Sequence, residues 1–352
     1  MSPFLKRNWF LCSLVVLFAT GFTLHTSLGQ LVEMSWLKKI IVAIVMFMMA
    51  LPLNISAMVS GIRQPKGTIL ACLINYGALP FCAWMLSPLI TNESIRIGFL
   101  VASVTPCTLA SASVWTRKAG GNDAVSLMVT IVTNTACFLV TPAWLSIMLA
   151  GGKELNTPTG QIMMNLCLLV VLPMVIAQLV RLHRPWAEKA TARKKHFSTL
   201  AQCGILSIVF LGAIKAGDLL LESADTGALP VTALAVSIAF VIIVHSVMFW
   251  FGYGCGALIR LPRADQIAVA FSGSQKTLMV GLYLCDLLEC IAIPMIAFHV
   301  CQLFIDTLFA DRLNRSGQID PNDRPREQQH KHSPSSGGED ADKGEDMFSD
   351  LE

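Results

Sequence analysis

Long, nearly charge-free runs dominate this chain and limit what it can fold into. Ten mostly apolar stretches lie at about 9–28, 38–60, 68–89, 96–115, 123–150, 161–181, 198–217, 229–259, 265–287 and 290–310. A helix needs roughly 20 such residues to cross a bilayer, where every backbone polar group must be satisfied internally. Composition agrees, with 54% of the 352 residues hydrophobic and 14% charged, against about 25% charged in soluble domains. The chain reads as an all-α, multi-pass protein with the lipid bilayer as its surroundings, in a bacterial inner membrane or a plasma membrane.

The charges are placed unevenly. Residues 312–352 hold 6 Lys/Arg and 10 Asp/Glu, leaving 20 and 13 in residues 1–311. The basic groups Lys6/Arg7, Arg63/Lys66, Arg117/Lys118, Arg181 to His196, Arg260/Arg263 and Arg312/Arg315 all fall on one side of a ten-span arrangement. That bias puts both termini in the cytoplasm, with Lys38 and Lys39 an exception on the opposite side. Basic residues confined to short loops set topology and give no nucleic-acid surface. The stretch after Lys6 and Arg7 has no convincing cleavage site and is read as a retained first helix. The segment 312–352, poor in aliphatics and rich in Pro, Ser, Gly and acids, is expected to be a disordered acidic tail. Eleven cysteines sit mostly singly inside apolar runs and read as small buried hydrophobes. No Ser/His/Asp constellation, H-E-x-x-H helix or phosphate-binding loop appears, so an enzyme is not expected.

Ten spans divide before the sixth into two sets of five, about 1–155 and 156–311. Because five is odd, the second set starts on the opposite face, the arithmetic of an inverted repeat. Spans four and nine carry matching interruptions. In "VASVTPCTLASASVWTRKAGGNDAVS", Pro106 removes a backbone donor while Thr105, Thr108, Ser111 and Ser113 add hydroxyls. Gly120 and Gly121 end that element and Asn122 caps the next. In span nine, "SGSQKT" sets Ser272, Ser274, Gln275, Lys276 and Thr277 around Gly273, with Lys276 midway between the nearest charges, Asp265 and Asp286. A charge at a span centre costs about 2.5–3.5 kcal/mol on insertion scales. Paired interruptions point to a midplane substrate or ion site. Span five presents Ser126, Thr130, Thr133 and Asn134 on one face, which suits a hard cation such as Na⁺ or helix packing. Asn75, five residues before Pro80, and Asn54 in span two lean toward the same core. His299 and Gln302 share a face of span ten as a proton relay, a ligand contact or core packing. His245 has no such partner and is read as structural.

The order and spacing of "TRKAGGNDAVS", "LVTP", "ADQIAVAFSGSQKTLMVG" and "AFHVCQL" resemble the bile acid:sodium symporter family, in a branch that includes bacterial proteins. The resemblance covers roughly residues 1–311. It implies two inverted five-helix repeats forming a core and a panel domain, helices four and nine broken and crossing, and Na⁺-coupled transport of organic anions. It also implies one Na⁺ at Ala112, Ser113, Ser126 and Thr130, and a second at Asn75, Ser272, Ser274 and Gln275. Two departures leave both sites short of a ligand. Phe271 stands where sodium-coupled members carry an acid, and Ala112 offers no side-chain oxygen. Lys276 occupies the same stretch, as a fixed cation in place of Na⁺, as a carrier of H⁺, or as a cap on broken-helix carbonyls or a side chain snorkelling into water with no part in coupling. The leading expectation is a secondary transporter of a small organic anion; the other is a non-transporting membrane regulator that keeps the fold.

Overall fold

The computed structural model describes residues 9–32, 34–53, 65–109, 111–150, 157–224 and 230–317. Asn54, the basic residues 6, 7 and 63, and the tail from 318 lie outside the described residues. Among the described residues there are helices and turns and no strand. The helices are α1 (Trp9–Thr23), α2 (His25–Val32), α3 (Ser35–Ala50), α4 (Pro65–Leu89), α5 (Glu93–Val104), α6 (Ser111–Lys118), α7 (Asp123–Leu149), α8 (Thr159–Leu182), α9 (Arg184–Ala192), α10 (Lys194–Ala224), α11 (Val231–Leu258), α12 (Arg263–Ser274), α13 (Leu278–Leu287) and α14 (Ile293–Gly317).

Six of them, α4, α7, α8, α10, α11 and α14, contain stretches long and apolar enough to cross a membrane. The other four apolar runs appear as shorter pieces. The run at 96–115 is divided between α5 and α6, and that at 265–287 between α12 and α13. The helices pack in two groups. In one, α1, α2 and α3 lie against α10, and α8 leans on α3; in the other, α4, α5, α6, α7, α11, α12 and α14 pack together. The groups meet where α8 packs on α7 and along a seam of α13 against α3 and α10.

Local chemistry sets where the helices stop. Asn92 caps α5, its Oδ1 accepting from the Ile95 N–H at 3.0 Å. The same helix ends at Val104 because Thr105 precedes Pro106, and a residue before proline is driven out of the helical region. Thr105 accordingly has φ −68° and ψ 155°. Gly120 turns the chain at φ +77°, a left-handed conformation that glycine adopts without penalty. Asn122 then caps α7 through the Ala124 N–H at 3.2 Å. In α4, residues Ile74–Ala78 widen to a π turn just before Pro80, which has no N–H to give.

Candidate functional site

The two interruptions meet. Between α12 and α13, residues 275–277 are extended, and between α5 and α6 the chain leaves the helix from Thr105. Freed backbone groups inside a membrane protein need partners, and those of residues 272–277 find them in side chains and in the other break. The Thr277 N–H donates to the Pro106 carbonyl at 2.9 Å. The Lys276 N–H donates to Gln302 Oε1, and Gln302 Nε2 returns a bond to the Lys276 carbonyl, both at 2.9 Å. Asn75 Nδ2 reaches the carbonyls of Ser272, Gly273 and Gln275 at 3.1, 3.4 and 2.9 Å. On the other break, Cys107 gives its N–H to Thr133 Oγ1 at 3.2 Å and takes a bond from Asn134 Nδ2 at 2.8 Å, while Thr130 Oγ1 donates to the Thr108 carbonyl at 3.1 Å.

Lys276 closes the joint. Its side chain is 0% exposed, and Nζ lies 2.6 Å from the Asn75 carbonyl, 3.1 Å from Asn75 Oδ1 and 2.9 Å from the Thr105 carbonyl. The Tyr76 ring is 5.4 Å away, within cation–π range. Two of these oxygens are orphans made by proline. The π turn sends the Leu79 N–H to the Ile74 carbonyl, so the donor due to Asn75 by the same register belongs to Pro80, which has none. The Thr105 carbonyl is orphaned where Pro106 breaks α5. Three acceptors and no donor around Nζ match the three N–H groups of an ammonium.

Gln275, also fully buried, joins this centre to an acid. Its Oε1 accepts from Thr108 Oγ1 at 2.7 Å and Ser111 Oγ at 2.9 Å. Its Nε2 donates to Asp306 Oδ2 at 2.5 Å. Asp306 Oδ1 lies 3.0 Å from His245 Nε2, and His245 Nδ1 lies 3.2 Å from the Ser274 carbonyl. His245 therefore has partners after all, in an acid 61 residues away and in the break itself. Asp306 passed unnoticed in the sequence, although an ionisable residue inside an apolar run is itself a signal.

A cavity of about 220 Å³ lies against this joint, between α3 and α10 on one side and the interrupted helices on the other. Of the twelve residues singled out in the sequence, Ser111, Ser113, Thr277 and His299 line it. The other eight, Asn75, Ser126, Thr130, Ser272, Ser274, Gln275, Lys276 and Gln302, are buried outside that lining. Ser272 and Ser274 donate to carbonyls of their own helix, those of Ala268 at 2.5 Å and Ala270 at 2.8 Å. Ser126 pairs with Thr116 at 2.7 Å. His299 Nδ1 lies 3.0 Å from Gln302 Nε2. The other wall carries Met48, Met49, Ser198, Gln202 and Ile205, and Lys194 is the one formal charge among the described lining residues.

A many-helix apolar chain with a hydrogen-bonded joint built around a buried lysine between two helix breaks, and a cavity beside it, has the make-up of a multi-pass membrane transporter. Residues 8–315 match the SBF-like CPA transporter family. The chain belongs to that family, within the bile acid:sodium symporters. It is similar to sodium/bile acid cotransporter 7 of Xenopus tropicalis, 22% identical over 319 residues, 86% of this chain and 91% of that protein. It is also similar to the putative symporter YfeH of Escherichia coli strain K12, at 27% over 247 residues, covering 66% of this chain and 69% of YfeH. With the probable chloroplastic sodium/metabolite cotransporter BASS4 of Arabidopsis thaliana it shares 25% over 232 residues, 63% of this chain and 53% of that one.

Proposed function

We propose that the protein is a secondary transporter of a small organic anion that works by alternating access without requiring Na⁺. In this reading the chain crosses the membrane ten times as two inverted five-helix repeats. The group around α3 and α10 is the panel, the group around the breaks is the core, and both termini are cytoplasmic. The observation that carries the reading is the position of Lys276. Its ammonium sits among oxygens of both breaks, at the joint where the resemblance implies a bound cation, and it supplies a positive charge that needs no ion from solution. The cavity beside the joint offers hydroxyls from Ser113, Ser198 and Thr277, an imidazole from His299 and the cation of Lys194, with no acid among its described lining residues. Such a lining favours an anion with an apolar body.

Uptake of a panel of labelled organic carboxylates and sulfates into proteoliposomes, in Na⁺ and in choline buffers, tests this. The expected outcome is saturable uptake of at least one anion at the same rate in both. Uptake that vanishes in choline overturns the sodium-independent reading, and no uptake of any anion overturns the transporter reading.

A further inference from the structure

Away from the cavity, the seam between the two helix groups carries a second charged cluster. Lys38 of α3 places Nζ 2.6 Å from Asp286 Oδ1. Lys215 of α10 places its own Nζ 3.2 Å from that oxygen and 2.9 Å from the Asp286 carbonyl. Lys38 is 8% exposed, Lys215 23% and Asp286 25%. Two ammonium groups of one helix group thus share a single carboxylate oxygen of α13, on the seam's other face. The pair His25–Asp218, at 2.7 Å, joins α2 to α10 inside one group and does not cross the seam.

The position of the cluster is the same on all three helices. On α3 the cavity is lined by Met48 and Met49, and Lys38 lies ten residues away, roughly 15 Å along a helix. On α10 the lining runs from Lys194 to Ile205, and Lys215 lies about 15 Å beyond it. On α13 Met279 lines the cavity, and Asp286 follows after about 10 Å. Between the two levels the seam is closed by packing, with Leu282 Cδ2 of α13 only 3.8 Å from where a β-carbon on Gly212 of α10 would stand. Lys194, at the cavity's other limit, is exposed.

We propose that Lys38, Lys215 and Asp286 form the latch that shuts the end of the seam opposite Lys194, and that the two lysines are an anion-receiving site that Asp286 fills with its own carboxylate while the latch is closed. Opening the seam separates the lysines from Asp286 and presents two cations to an entering carboxylate or sulfate, while re-closure returns Asp286 to them. The cluster holds two positive charges against one negative, so it attracts anions even when shut. It also accounts for Lys38 on the face otherwise poor in basic residues. The proposal rests on the alternating-access reading given above.

The test is cysteine labelling of the full chain in right-side-out and inverted membrane vesicles with a membrane-impermeant maleimide. A Gln202→Cys variant reports on the cavity, with the chain lacking that cysteine as background. With the latch intact, labelling is expected to be fast from one face and slow from the other. Adding Asp286→Asn is expected to raise labelling from the opposite face roughly tenfold, the scale of losing a charge-assisted hydrogen bond. Lys215→Met, which leaves Lys38 on Asp286, is expected to raise it less, and serves if Asp286→Asn does not fold. Slow labelling from that face at an unchanged rate in both variants overturns the latch. Because labelling needs no substrate, raised labelling from that face without uptake keeps the latch and removes the transport reading, and uptake with unchanged labelling does the reverse.

Discussion

Lys276 is retained at the centre of an apolar run because two prolines make it useful. Pro80 leaves the Asn75 carbonyl without a donor, the end of α5 at Pro106 leaves that of Thr105 without one, and one ammonium reaches both. Replacing it with methionine removes the shared donor and leaves the Asn75 and Thr105 carbonyls buried and unpaired, at about 1–3 kcal/mol for each such group. Lys276→Met is therefore expected to lower the unfolding temperature in detergent markedly. Ser272→Ala removes only a bond to its own helix and is expected to change it little. Equal shifts in the two variants contradict this ordering. Asp306→Leu strips acceptors from both Gln275 and His245, and its expected loss is of the size of Lys276→Met.

The same scale shows what was legible. Pro106, Pro80 and the polar run around Lys276 are local signals, readable because breaking a helix is a property of a few adjacent residues. The link from Gln275 through Asp306 to His245 joins residues up to 61 positions apart, and no periodicity announces it. Thr130, Thr133 and Asn134 were legible as a polar face but not in their use. They serve the freed backbone of the first break, which depends on how α7 lies beside it.

At the scale of elements, close approach decides which helices can neighbour each other. Gly98 of α5 faces the residues leading into α14, and a β-carbon there would stand 2.1 Å from the Ile291 carbonyl oxygen. A backbone atom cannot step aside as a side chain does, so Gly98→Ala is expected to cost at least the 1–3 kcal/mol typical of overpacking. The measurement is the yield of monodisperse protein and its unfolding temperature, and an unchanged variant contradicts the packing described. Gly273 is a milder case, with Ile74 Cγ2 at 3.1 Å from the same construction. The apolar runs told where helices lie, since burial of apolar length is written in composition. They did not tell that 9–28 is divided at Leu24, because that run carries no proline to announce it.

For the whole molecule, two helix groups meet along a seam that holds a cavity beside the broken helices and, farther along, two ammonium groups on one carboxylate oxygen. The inverted arrangement proposed above rests on counting spans. The Lys38–Asp286 pair, separated by 248 residues, needed the fold to bring it together. With Lys276 at its centre, the joint carries its own cation. Thermal unfolding of the purified protein, titrated with NaCl against choline chloride at constant ionic strength, addresses it directly, because an ion that binds the folded state raises the unfolding temperature by mass action. The expected result is no saturable shift with Na⁺ for the unmodified chain. A saturable, Na⁺-specific stabilisation of the unmodified chain contradicts the claim that the Lys276 ammonium takes the cation's place.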